Sequence, residues 1–228
     1  MRLHRRSLDH NHAALPVHAR HSCRLLKVLS EPRFQTYLGH ADGDQEMGMR
    51  QYVWNAALAS GLHGPVHILE VTLRNAIHDR LKHIHGASWF DIPGFLRGPE
   101  AGMINDARSY LANRNESTAP DKIIAELNFR FWVAIFSRKY DRLWVSSLQA
   151  IFSPRPIRHE LHEKLDRLRT LRNRIAHHEP IRHRHLMADL ADIKQIVGSL
   201  SPATLDWLKW HEQATARFAT PASDIDLF

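Results

Sequence analysis

Between Pro65 and His85 the apolar residues fall at helical intervals, and this spacing constrains the fold more than any other feature of the chain. Val66, Leu69, Leu73, Ala76, Ile77, Leu81 and Ile84 recur every three or four positions. That pattern forms one stripe on an α-helix, whereas on a strand it would scatter over both faces. Leu161, Leu165, Leu168, Leu171 and Ile175 repeat it later in the chain. No alternating pattern longer than a few residues and no turn-strand-turn rhythm occurs anywhere. The chain therefore reads as all-α, a bundle of about seven to nine helices without an internal repeat.

Proline, glycine and capping residues set the expected boundaries. A short helix after Cys23 breaks at Pro32 and restarts, residues 39–48 form a loop, and a helix through Tyr52 ends at Gly61 or Gly64. Pro65 then opens the long amphipathic helix, since proline suits a first turn. Trp89 to Phe95 is an irregular apolar connector, a helix follows at about 99–113, and Asp121 is placed to cap the next. Lys122 to Tyr140 is the most apolar stretch and reads as a central core helix. Ser153-Pro154-Arg155-Pro156 is a stiff break with a capping serine, Pro180 ends the helix after it, Leu186 to Leu200 is another, and Ser201-Pro202 starts the last. Residues 1–22 lack periodicity and read as a flexible basic arm, 23–220 as a single domain, and 221–228 as a flexible tail.

Composition narrows the function classes. One cysteine, Cys23, among 228 residues cannot form an intramolecular disulfide or build a zinc ribbon. The longest clean apolar run, Phe131 to Phe136, is far short of a membrane span, and the N-terminus lacks a secretory apolar core. A soluble cytoplasmic protein with no membrane association is expected. The net charge of +7 is concentrated in two places. Residues 1–33 carry six Arg and one Lys against Asp9 and Glu31, and residues 155–184 carry nine Lys or Arg against four acids. Such clusters suit a polyanion, nucleic acid first; a solvated tail plus a charged helix face accounts for them equally well.

No phosphate loop, dinucleotide fingerprint, nucleophile elbow or zinc-protease helix is present. His83-x-His85 and His183-x-His185 could each offer two metal ligands, but no acid or thiol stands close by in sequence, so no metal or other cofactor is expected. The dense polar segment runs from Arg169 through Arg172, Asn173 and Arg174 to His177, His178, Glu179 and Pro180. Arginine grips phosphate through parallel charge-assisted hydrogen bonds, and histidine moves protons near neutral pH. Together these groups suffice to cleave RNA without metal. A base takes the 2′-hydroxyl proton, an acid protonates the leaving 5′-oxygen, and a cation stabilises the phosphorane. The plain structural alternative is a helix C-terminus whose Arg and His satisfy the dipole.

The same residues carry a family resemblance. Arg172-Asn-Arg-Ile-Ala-His177-His-Glu-Pro180 resembles the Arg-to-His signature of the HEPN superfamily in its Abi-like, abortive-infection form. Leu69-Glu70-Val-Thr-Leu-Arg74-Asn75 is similar to that family's early helix, and Phe131-Trp132 through Arg138-Lys-Tyr140 to its central aromatic block. The resemblance spans about residues 24–215. It implies a HEPN-like helical bundle that pairs as a homodimer, with two Arg-to-His helices forming one composite, metal-independent endoribonuclease site. It also implies a role in phage defence or toxin-like growth arrest, with RNA as substrate and a neutralising antitoxin as possible partner.

Carried over by position, Arg172 is the phosphate-binding arginine, Asn173 the polar residue after it, and His177 the general acid or base. His178 fits with one more residue between. Arg169, Arg174, Arg74, Asn75 and Glu70 are the accompanying substrate-binding candidates. At 100° per residue, however, Arg172 lies on the leucine stripe and His177 about 140° away from it. Either Pro180 unwinds the last turn, or the two groups act on different chains of a dimer. An arginine on an apolar stripe needs a partner, and Glu70 is the candidate, although an ordinary Glu70–Arg74 pair is an equal alternative. A binding module of the same fold, taking RNA or a protein partner without turnover, is the competing function.

Overall fold

A computed structural model describes residues 28–29, 31–212 and 214–224. The basic arm at 1–22 and the end of the tail, 225–228, lie outside the described residues. Among those described there are ten α-helices and no strand. They are α1 (Glu31–Gly39), α2 (Gln45–His85), α3 (Gly98–Asn113), α4 (Pro120–Glu126), α5 (Phe129–Ala134), α6 (Asp141–Ser146), α7 (Arg158–Ala176), α8 (Leu186–Leu200), α9 (Pro202–His211) and α10 (Ala214–Ala219). The all-α expectation holds. The chain divides into two compact units, one running to Leu58 and resuming at Ala216, the other spanning Ala59–Thr215.

In the first unit, Phe34, Tyr37 and Met49 form a small buried cluster. Tyr52 meets Tyr37 edge to face, with ring centroids 5.3 Å apart. Gly48 faces this cluster closely: an added Cβ would sit 3.1 Å from the Phe34 ring, which would have to give by a few tenths of an ångström. Pro32 occupies the first turn of α1, where proline suits a helix start.

The second unit is built on the later part of α2. Here the structure corrects the expected break at Gly61–Pro65, because α2 is continuous over 41 residues with Pro65 inside it. An interior proline loses one backbone hydrogen bond and costs about 3 kcal/mol. The buried stripe Leu62, Val66, Leu69, Leu73, Ile77 and Leu81 runs through it without a change of face. Each such side chain contributes about 1.5–3 kcal/mol on burial, which outweighs the local cost.

The segment read as one central helix, 122–140, is indeed core: Ile123, Ile124, Phe129, Phe131, Trp132 and Phe136 are all buried. It is not one helix. Leu127 is extended (φ −71°, ψ 128°), and the Asn128 side chain then caps α5 by accepting from the Phe131 N–H. The residues after α5 turn through a short 3-10 segment, Arg138–Tyr140, into α6. This division, with α6 and α10, brings the helices among the described residues to ten. Two capping expectations also fail. Asp121 sits inside the first turn of α4 rather than at its cap, and Ser153 does not cap α7, whose cap position is Ile157. Ser201 does cap α9, accepting from the Thr204 N–H at 3.2 Å, but α9 is not last, since α10 follows.

Two polar clusters centred on buried His78 and Glu100 lock the connectors of this unit. The Trp89 indole donates to His78 Nδ1 at 3.1 Å, which leaves His78 Nε2 facing Asp121 at 3.3 Å. Glu100, 2% exposed, accepts from Lys139 at 2.7 Å and from the Tyr140 hydroxyl at 2.8 Å. Burial and the Glu100 carboxylate push the Tyr140 hydroxyl well above the usual phenol range.

Candidate active site

Helix α7 carries the candidate residues. Its buried stripe, Leu161, Leu165, Leu168, Leu171 and Ile175, matches the sequence expectation and packs the helix against α5 and α8. Leucines at four- and three-residue spacing leave the alternate positions to polar groups, and this places Arg169, Arg172, Asn173 and Arg174 partly in solvent.

The end of α7 is a Schellman turn. The Glu179 N–H donates to the Arg174 carbonyl at 2.8 Å and the His178 N–H to that of Ile175 at 3.2 Å, with His178 left-handed at φ 57°. The His177 N–H still donates to Asn173 at 2.9 Å, so helical bonding persists through His177. Of the two alternatives, unwinding of the last turn before Pro180 does not occur. Proline restricts only Glu179, and the turn already satisfies the last carbonyls. Within one chain Arg172 and His177 therefore keep their wide angular separation around the helix.

Arg172 is joined to Glu70 of α2, its Nε donating to Oε2 at 3.3 Å. Glu70 thus turns to the motif helix rather than to Arg74, whose Nε instead donates to the Asn75 side chain at 3.2 Å. The Arg172 side chain remains 39% exposed and Glu70 18%. The terminal amino groups of Arg172 form no hydrogen bond among the described residues, which leaves its planar end open for a second anion. The rings of His177 and His178 are exposed, and neither forms a hydrogen bond among the described residues.

The other two arginines are engaged locally. Arg169 donates to Asp166 at 2.8 Å. Arg174 donates to the Pro180 carbonyl at 3.3 Å and meets His183 Nε2 at 2.7 Å, with Glu179 at 4.0 Å. A guanidinium only donates, so His183 Nε2 is the acceptor in this contact. Arg174 thereby clamps the loop that follows α7. The sequence reading considered His183 only as a metal ligand, and the nine-residue gap to Arg174 carries no periodic signal that would have joined them. Arg184 holds the far end of this loop through a two-pronged contact with buried Asp189, at 3.0 and 3.1 Å.

Among the described residues no group of three or more His, Cys, Asp or Glu converges as a metal site, and no helix is long and apolar enough to cross a membrane. No protein-family model, curated protein or solved structure matches this chain.

Proposed function

We propose that the chain is a metal-independent endoribonuclease of the Abi-like HEPN kind, acting as a homodimer with a composite site. The observation that carries this reading is the Arg172–Glu70 pair. It links the two blocks of the family resemblance through a contact that uses Nε alone and leaves the end of the guanidinium open to phosphate. His177, exposed at the capped end of the same helix, is the accompanying acid or base, and His178 is its alternate.

Since Arg172 and His177 diverge around one helix, the reading pairs them across two chains. A phosphate on Arg172 of the partner subunit is then served by His177 of the first protomer. The imidazole takes the 2′-hydroxyl proton, the 2′-oxygen attacks phosphorus, and the 5′-oxygen leaves with a proton. The expected products are a 2′,3′-cyclic phosphate, or the 3′-phosphate formed by its opening, and a 5′-hydroxyl. A role in phage defence or growth arrest, a cytoplasmic setting and a neutralising protein partner belong to the same proposal.

The test is incubation of purified full-length protein with total RNA in EDTA. Cleavage should persist, leave 5′-hydroxyl ends, spare DNA and 2′-O-methyl RNA, and vanish in Arg172→Ala and His177→Ala with helical circular dichroism retained. Arg172→Lys should not fully rescue it, because lysine lacks the planar fork. Products bearing a 5′-phosphate, or activity that chelator removes and a divalent metal restores, refute the mechanism. Salt-sensitive RNA binding without cleavage would instead establish a binding module.

A further inference from the structure

We infer that the cavity between α7, α8 and α9 is a binding site for an amphipathic organic monoanion, a medium-chain carboxylate in particular. The cavity holds about 450 Å³ and is bounded also by the turn at 153–156. Its volume lies within the range of pockets that take small organic ligands. Its α7 residues, Glu160 to Lys164, precede Arg172 by more than two helical turns, and it shares no residue with the candidate ribonuclease site.

The apolar lining is contributed by Leu161, Ile196, Leu205 and three prolines, Pro154, Pro156 and Pro202. Gly198 lies at the wall between α8 and α9, where a Cβ would sit 2.8 Å from the terminal methyl Cδ2 of Leu205 and displace that side chain. Leu161 and Ile196 are buried, and the prolines bring stiffness with no N–H of their own. This half of the cavity suits a hydrocarbon body.

The polar half is rich in donors. Lys164 donates to Gln195 at 2.6 Å and pairs with Asp192 at 2.7 Å, and Lys194 pairs with Glu212 at 2.8 Å. An ammonium has three N–H groups, so Lys164 keeps one donor and Lys194 two. Arg155 is exposed and forms no hydrogen bond or ion pair among the described residues. Asp192 is shared by Lys164 and Arg167, at 2.7 and 3.0 Å, so one positive charge there is left over, whereas Glu212 balances Lys194 and Lys209, 3.4 Å from Asp206, balances that acid. The remaining charges are Arg155 and the exposed Glu160. The free donors and Arg155 favour one negative headgroup, while Glu160 opposes a second negative charge. That balance selects a monoanion over phosphate or a polyanion.

Isothermal titration of the full-length protein with decanoate, with decanol and inorganic phosphate as comparators, tests the assignment. Decanoate should bind saturably at one site per chain. The double variant Arg155→Ala, Lys164→Met should weaken decanoate binding by about tenfold or more, some 1.4 kcal/mol, while decanol binding and circular dichroism are unchanged. In this variant Asp192 keeps Arg167, at 3.0 Å, so it is not left uncompensated. Glu160→Gln, on an exposed side chain, should tighten decanoate binding. The inference is overturned by the absence of saturable decanoate binding, by equal affinity in the double variant, or by phosphate displacing decanoate as effectively as another carboxylate.

Discussion

Replacing Glu70 and Arg172 singly and together isolates the contact on which the candidate site is built. The pair is joined by one hydrogen bond of 3.3 Å rather than a two-pronged contact, with Glu70 18% exposed and Arg172 39%. Fully exposed ion pairs contribute about 0–1 kcal/mol, and hydrogen bonds to charged groups about 1.5–3 kcal/mol. With the carboxylate largely enclosed and the guanidinium partly in water, the coupling should be about 1 kcal/mol. Glu70→Gln and Arg172→Met preserve volume while removing charge, so a double-mutant cycle on urea midpoints reads the interaction directly. For a unit of this size, a loss of 1 kcal/mol lowers Tm by roughly 2–4 °C. The coupling should shrink in high salt, because the arginine end is accessible to ions. A coupling indistinguishable from zero, within about 0.3 kcal/mol, would show that Glu70 does not hold Arg172 and would remove the basis for an oriented phosphate receptor.

Three further outcomes follow from the same geometry. His178 is left-handed at φ 57°, a conformation that costs a β-carbon residue about 1 kcal/mol, so His178→Gly should raise the thermal midpoint while His178→Val lowers it. Burial, reinforced by Arg158, holds the His162 imidazole below its ordinary 6.5 against the opposing pull of Asp166 and Glu163. The unfolded chain then binds this proton more readily than the native one, so stability should fall as pH drops through and below 6.5, and His162→Gln should flatten that limb in pH-dependent urea melts. Leu168 is fully buried on the face of α7, so Leu168→Ala should destabilise the fold by about 2–5 kcal/mol, measurable by chemical denaturation.

What the sequence determined by itself is mostly local. Helical spacing of leucines fixed the class, the buried face of α7 and the span of α8, because periodicity is a property of neighbours along the chain. Ser201 before Pro202 marked the start of α9 for the same reason, since a cap is made within four residues. Even the Arg172–Glu70 pair was within reach, as a charge on an apolar stripe requires a countercharge and Glu70 borders the other long stripe. Other features were decided by packing across distant parts of the chain. Pro65 marks a boundary in isolation, yet the continuous buried face of α2 on both sides of it outweighs the lost hydrogen bond. The apolar segment 122–140 is too hydrophobic for its period to show where it bends, and the break at Leu127 lets residues on successive short helices all reach the interior. Arg174 reads from sequence alone as a substrate-binding candidate, and only the fold brings the Pro180 carbonyl and His183 to it. Sequence records which groups demand a partner, whereas the tertiary structure decides which partner is near enough to satisfy the demand.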